Sequence, residues 1–178
     1  MTINNPDAEQ VEAWIDEERW HLENATLDMS VMLRGVSTGE ALADAEVFSL
    51  AGAPLMLSSL WQSGSVLLVT SSMTCPPSRQ VTPALTEFAE RYPKLQIVVL
   101  YVIDAHPAGD LCPYTGTDWL TKDNREAGIR HPQPKTQQER NALAAEFRTL
   151  AGLTVPVVVD NMANTGWVAL GRVPNSAV

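Results

Sequence analysis

The chain has 178 residues, a formal charge of −9 and 45% hydrophobic residues, which suits one domain with a substantial core. Its acidity argues against nucleic acid and against anionic membrane surfaces, both of which select clustered Lys and Arg, and no apolar run reaches the roughly 18 residues of a membrane span. Two cysteines, Cys75 and Cys112, are too few for a disulfide framework and too far apart for a zinc site, so no metal is expected.

Residues 1–10 are polar and acidic, without the basic start and apolar stretch of a secretory signal, and the protein is expected to be soluble and cytoplasmic. Pro6-Asp7-Ala8-Glu9 has the form of a helix start, after which Val11, Ile15, Leu22, Ala25, Met29 and Met32 recur at heptad-like spacing. That stripe suits a helix packed on its own core or a dimer-forming arm, so a homodimer is one of the readings. We divide the chain into a helical extension, 1–44, and an alternating α/β body, 45–178.

In the body, 45–50 reads as a strand, Ala51-Gly52 as a turn and 54–57 as the hairpin partner. A strand over 66–71, a helix over 78–91, a strand over 96–103, a long Pro/Gly-rich loop over 104–135, a helix over 136–150 and a strand over 156–159 follow. The order strand, helix, strand with both strands apolar implies parallel pairing through a right-handed crossover. A loop of that length without structure of its own is usually functional or disordered.

Cys75 ends the 66–71 strand segment where a helix should begin. At such a junction the unsatisfied N–H groups and the positive end of the helix dipole favour sulfur as an anion, so a thiolate with a lowered pKa is expected; a buried structural cysteine is the plainer reading. Val155-Pro156 opens the last strand. A strand-initial proline opposite a reactive cysteine is the arrangement of the thioredoxin fold, where the X-Pro bond is cis, and this places Val155 and Pro156 beside the thiol and an extended substrate.

Thr74-Cys75-Pro76-Pro77, followed by Tyr101-Val102-Ile103-Asp104-Ala105-His106-Pro107, resembles the iodothyronine deiodinase family of thioredoxin-like proteins. The likeness continues through Gln138-Glu139-Arg140 and through 157–164, and covers roughly Phe48 to Val178. The resemblance implies a thioredoxin-like α/β fold with a central mixed sheet flanked by helices. It places Cys75 at the position of the catalytic selenocysteine, Asp104 at that of an acidic residue beside the site and His106 at that of the catalytic histidine. The chain departs from the family at Met73, where animal members carry a second cysteine, and at Pro134, where the family has a histidine. It also stops at Val178, where the family's last strand should begin.

The chemistry expected is a thiol-dependent redox reaction. Cys75 attacks a peroxide oxygen, a disulfide or the halogen of an activated ring, and His106, with Asp104 two residues before it, donates the proton that the leaving group needs. Ser71, Ser72 and Thr74 offer hydroxyls near the sulfur, and Pro76 holds the backbone open there. Arg79 or Arg140 are candidates to hold a thiolate or an anionic substrate, although a surface ion pair is the plainer role of either. Asp160 and Asn164 are expected to cap the turn or helix after the last strand. Cys112 is a candidate resolving thiol; otherwise an external thiol such as thioredoxin or glutathione is the reductant. No cofactor is expected. A thioredoxin-fold binding module in which Cys75 is a relic is the alternative.

Overall fold

The computed structural model describes residues 36–172 and 177–178. The helical stripe expected over 1–33 lies outside the described residues. Strands β1 (Glu46–Ser49) and β2 (Pro54–Met56) form the expected hairpin, with Gly52 at φ +88° in its turn, a conformation that costs glycine little. Strands β3 (Val66–Ser71), β4 (Gln96–Tyr101) and β5 (Val157–Asp160) complete a five-stranded sheet in the order β2-β1-β5-β4-β3. β3, β4 and β5 run parallel, and β1 joins β5 antiparallel.

The sequence of β4 shows how the sheet is covered. Ile97, Val99 and Tyr101 face one apolar layer, with Met73, Leu143 and Phe147, while Val98, Leu100 and Val102 face a second, with Val47, Leu57, Leu68 and Trp167. A strand with both faces apolar is what a sheet covered on both sides requires. Helix α4 (Gln137–Leu150) lies in the first layer. It starts on a capping box, with the Thr136 hydroxyl accepting Glu139 N–H at 3.2 Å and the Glu139 carboxylate accepting Thr136 N–H at 3.0 Å. The second layer is closed by a 3-10 turn, Leu57–Trp61, and by α5 (Thr165–Ala169).

The helix expected over 78–91 is two helices, α1 (Pro76–Val81) and α2 (Ala84–Arg91). Pro83 has no N–H and its ring opposes the carbonyl four residues earlier, so a continuous helix stops there. The loop over 104–135 carries a bridge between Leu111 and Asp118 and a short helix, α3 (Lys122–Glu126). Beyond β3, Ala177 bridges Val69 antiparallel, and Val178 exchanges backbone hydrogen bonds with Leu68 at 2.9 and 3.0 Å.

Candidate active site

Residues 72–75 leave the C-terminal end of β3, and side chains grip the backbone N–H and carbonyl of both Met73 and Thr74. Met73 N–H donates to the Tyr101 hydroxyl at 3.1 Å, and Thr74 N–H to Asp104 Oδ1 at 2.9 Å. Arg79 donates to the Met73 carbonyl at 2.6 Å, and Asn124 Nδ2 to the Thr74 carbonyl at 2.8 Å. The Thr74 hydroxyl accepts His106 N–H at 3.0 Å, and the Tyr101 hydroxyl donates to Asp104 Oδ2 at 2.8 Å. Thr74, Asp104 and His106 are thereby joined one residue from the cysteine, and Gln133 fixes Asp104 from behind by donating to its carbonyl at 2.6 Å and accepting from its N–H at 3.3 Å. Met73 is fully buried in the layer that holds Tyr101 and Phe147, and is an apolar anchor for the loop.

Cys75 is the N-cap residue of α1, as expected, but the thiolate expected there is corrected. Burial, at 2% exposure, pushes its pKa up, and nearby Asp104 adds to this; Ser78 and Arg79 offset it in part. The Pro-Pro step gives no relief from burial. The first two helical residues, Pro76 and Pro77, carry no N–H, so α1 lacks two of the donors that a helix start normally presents to an anion, and Ser78 and Arg79 are left to offset the burial in part. Asp104, fully buried, also has its pKa raised by burial, against the opposing donation from Thr74 and Tyr101.

The structure brings Cys75, Asp104, His106, Thr74, Ser72 and Pro76 to the same edge of the sheet. The His106 ring meets Trp119 edge-on, with centroids 4.5 Å apart. Ser72 is buried, its N–H donating to the Ser78 hydroxyl at 3.4 Å. Cys112 is a buried free thiol within the 111–118 turn, where its N–H donates to the Thr117 carbonyl at 2.8 Å and its carbonyl accepts Gly116 N–H at 2.8 Å. Tyr114, in the same turn, accepts from Trp167 Nε1 at 3.2 Å. Its pKa is raised by burial, and negative charge at Cys75, Cys112 or Asp104 would raise it further, so the hydroxyl lies within electrostatic reach of both thiols.

Two of the expected substrate-binding residues, Val155 and Pro156, are elsewhere, whereas Arg140 lies within electrostatic reach of Asp104 and Tyr101. Ser71, Tyr101 and Val159 share one register and Val69, Val99 and Val157 another, so Val155 and Pro156 come just before β5, with Pro156 level with Val98 in the middle of β4. Pro156 is about 10 Å of strand short of the register from which the cysteine loop departs. Val155 is a core residue, Pro156 is exposed, and no peptide bond among the described residues is cis. Arg140 is 2% exposed and works as an internal brace, donating to the Asn161 carbonyl at 2.6 Å and to Asn164 Oδ1 at 2.8 Å. Asp160 caps α5 as expected, accepting Gly166 N–H at 2.9 Å and Trp167 N–H at 2.8 Å; Asn164 instead takes a left-handed conformation at φ 57° and makes no side-chain cap. Among the described residues, no group of three or more His, Cys, Asp and Glu side chains is placed to hold a metal ion.

Tyr101, Asn124 and Gln133 grip the site without having been expected to. Tyr101 opens the motif that ends in His106-Pro107 but had no role assigned to it, while Asn124 and Gln133 sit in the long loop with no motif of their own.

This arrangement, a mixed sheet flanked by helices with a cysteine leaving the C-terminal end of a parallel strand, is the thioredoxin-like α/β plan. No protein-family model matches the chain, and no curated protein matches it. Among solved structures it is similar to a hypothetical protein of Sinorhizobium meliloti, at 17% identity and a TM-score of 0.48, over 76% of this chain and 60% of that one. It is also similar to a secreted Mycobacterium tuberculosis disulfide oxidoreductase homologous to E. coli DsbE, at 14% identity and a TM-score of 0.43, over 75% and 81% of the two chains. A thioredoxin-like protein of Aeropyrum pernix is similar over 97% of this chain and 83% of its own, at 13% identity and a TM-score of 0.44. The chain spans 60% of the length of the Sinorhizobium protein.

Proposed function

We propose that the chain is a thiol-dependent oxidoreductase in which Cys75 attacks a soft electrophile. The observation that supports this is the immobilised segment 72–75, whose backbone is tied through Thr74 to both Asp104 and His106. Order of this kind fixes where a sulfur sits, and position is worth more to a displacement reaction than acidity alone. The thiol is neutral at rest, so its proton leaves as the electrophile is engaged.

With a hydroperoxide, sulfur takes the terminal oxygen, the O–O bond breaks, the thiol proton passes to His106, and His106 gives a proton to the leaving alkoxide or hydroxide. The products are a sulfenic acid on Cys75 and an alcohol or water. With a disulfide, sulfur forms a mixed disulfide and one thiolate departs. Reductive dehalogenation is the narrower reading that the deiodinase resemblance adds. In each case a thiol reductant, from Cys112 or from outside, restores Cys75.

Purified protein assayed with a hydroperoxide, a small disulfide and an iodinated phenol, each with a thiol reductant, tests the proposal. Turnover that is lost in a folded Cys75→Ser variant is expected, because a serine hydroxyl is not appreciably ionised near neutral pH. Turnover that survives this substitution overturns the mechanism. The burial of Cys75 favours a second reading, a binding module whose thiol is a core residue; a thiol in the native protein that reacts with none of the three electrophiles faster than free cysteine would establish it.

A further inference from the structure

Asn124 is fully buried, yet it lies on α3, a helix of five residues within the long loop that packs nothing apolar into either layer of the core. Its side chain spans two segments that are far apart in sequence. Nδ2 donates to the Thr74 carbonyl at 2.8 Å and, at a longer 3.4 Å, to the His106 carbonyl. The same amide hydrogens thus reach the residue before the thiol and the residue that carries the imidazole. Oδ1 of the same amide is buried with no hydrogen-bond partner among the described residues. A leucine of similar volume would avoid the cost of burying that oxygen, about 1–3 kcal/mol for an unsatisfied group. The amide orientation is settled by its neighbours, since a flip would set Oδ1 against two carbonyl oxygens. The backbone supports it, as Asn124 N–H donates to the Thr121 hydroxyl at 3.2 Å in an N-cap that opens α3.

We infer that Asn124 is a positioning residue that sets the separation of Cys75 from His106 by holding both of their backbones with one amide. The inference rests on the redox reading above. It gives the long loop a definite role, which is to return a single amide group to the point where the two segments meet. Thr74 also joins the two segments, its N–H donating to Asp104 Oδ1 at 2.9 Å and its hydroxyl accepting His106 N–H at 3.0 Å. The Asn124 amide adds a further tie, which holds the carbonyls of Thr74 and His106 together from the loop side.

The consequence is energetic coupling between Asn124 and His106 that appears in the chemical step. The measurement is the rate of Cys75 oxidation by hydrogen peroxide under single-turnover conditions, made in a Cys112→Ser background so that one thiol reports. His106→Ala is expected to slow the reaction by about 100-fold, the ordinary worth of a positioned general acid. Asn124→Ala is expected to slow it by about 10- to 100-fold, because a displacement of about 1 Å can cost that much. In the double variant the further loss on removing His106 is expected to fall below about threefold, since residues that act as one unit do not add. The pH profile supplies a second readout, with the limb due to His106 present in the native protein and absent from Asn124→Ala. Full additivity, or a native pH profile in Asn124→Ala, overturns the inference.

Where Asn124→Ala fails to fold, Thr121→Val removes the hydroxyl that orients Asn124 and leaves the amide in place; reduced coupling to His106 supports the inference and full additivity overturns it. A native thiol that does not react with hydrogen peroxide, a disulfide or an iodinated phenol faster than free cysteine overturns the redox reading. Normal oxidation at Cys75 together with additive losses overturns only the role of Asn124.

Discussion

Thr74 uses its N–H, its carbonyl and its hydroxyl at once, and through them the cysteine loop is joined to Asp104, Asn124 and His106. A residue so engaged contributes order more than chemistry. His106 is the side chain whose loss should be felt in turnover: in a folded His106→Ala variant we expect kcat to fall by about 100-fold with KM little changed, read from steady-state kinetics with a hydroperoxide. An unaltered kcat would leave His106 a structural residue packed against Trp119. Cys75 was legible in the sequence from its strand–helix junction, and Asp104 and His106 only from the resemblance that the two motifs carry. The raised pKa of Cys75 was not legible in the same way, since burial and the Asp104 charge come from residues that the chain places there only on folding.

At the scale of elements, α1 begins with two residues that cannot donate, and this has a measurable sign. Pro77 is exposed, so replacing it should disturb little packing while restoring an N–H at the second helical position. Added donation favours the anion and lowers the pKa of Cys75, which enlarges the thiolate fraction at neutral pH. Pro77→Ala should therefore speed iodoacetamide alkylation of Cys75 at pH 7 by about two- to fivefold, the kinetic equivalent of roughly 0.3–1 kcal/mol. Equal rates in the two proteins would show that the missing donors do not set the acidity.

The 111–118 turn that carries Cys112 is held by the Leu111–Asp118 bridge and by the Cys112 backbone. With stoichiometric hydroperoxide we expect a Cys75–Cys112 crosslink in non-reducing mass analysis, absent from Cys112→Ser. A persistent sulfenic acid in the unmutated protein would exclude an internal resolving thiol and leave the reductant external.

Across the whole molecule, parallel pairing puts the two ends of the sheet to different uses. The C-terminal ends of β3 and β4 carry the cysteine loop and the 104–106 segment, and the N-terminal end of β5 carries Val155 and Pro156. Pro156→Ala should accordingly leave kcat and KM within about twofold of native, as expected of an exposed site remote from the chemistry. A loss of tenfold or more, with unchanged thermal stability, would mean that this end of the sheet takes part. Phe147 lies at the centre of the first apolar layer, with its ring 5.7 Å from that of Tyr101. Phe147→Ala should lower the unfolding free energy by about 3–5 kcal/mol, read from a denaturant midpoint.

Local patterning by itself determined the strands β1, β3, β4 and β5, the long helix α4 with its Thr136 cap, and the α/β class, because hydrophobic period and capping chemistry act over a few residues and survive into the fold. The break at Pro83 was present in the sequence as well, as a proline inside a helical pattern. Tertiary structure alone decided which strand ends face one another. Val155-Pro156 looked like a partner of Cys75 because proximity across a sheet depends on strand direction and register, which no window of sequence contains. Arg140 looked like a surface cation, and only the packing of α4 on β5 made it a buried brace. Asn124 and Gln133 became parts of the site for the same reason, as polar side chains in a long loop gain a structural role only when the fold brings a carbonyl to meet them.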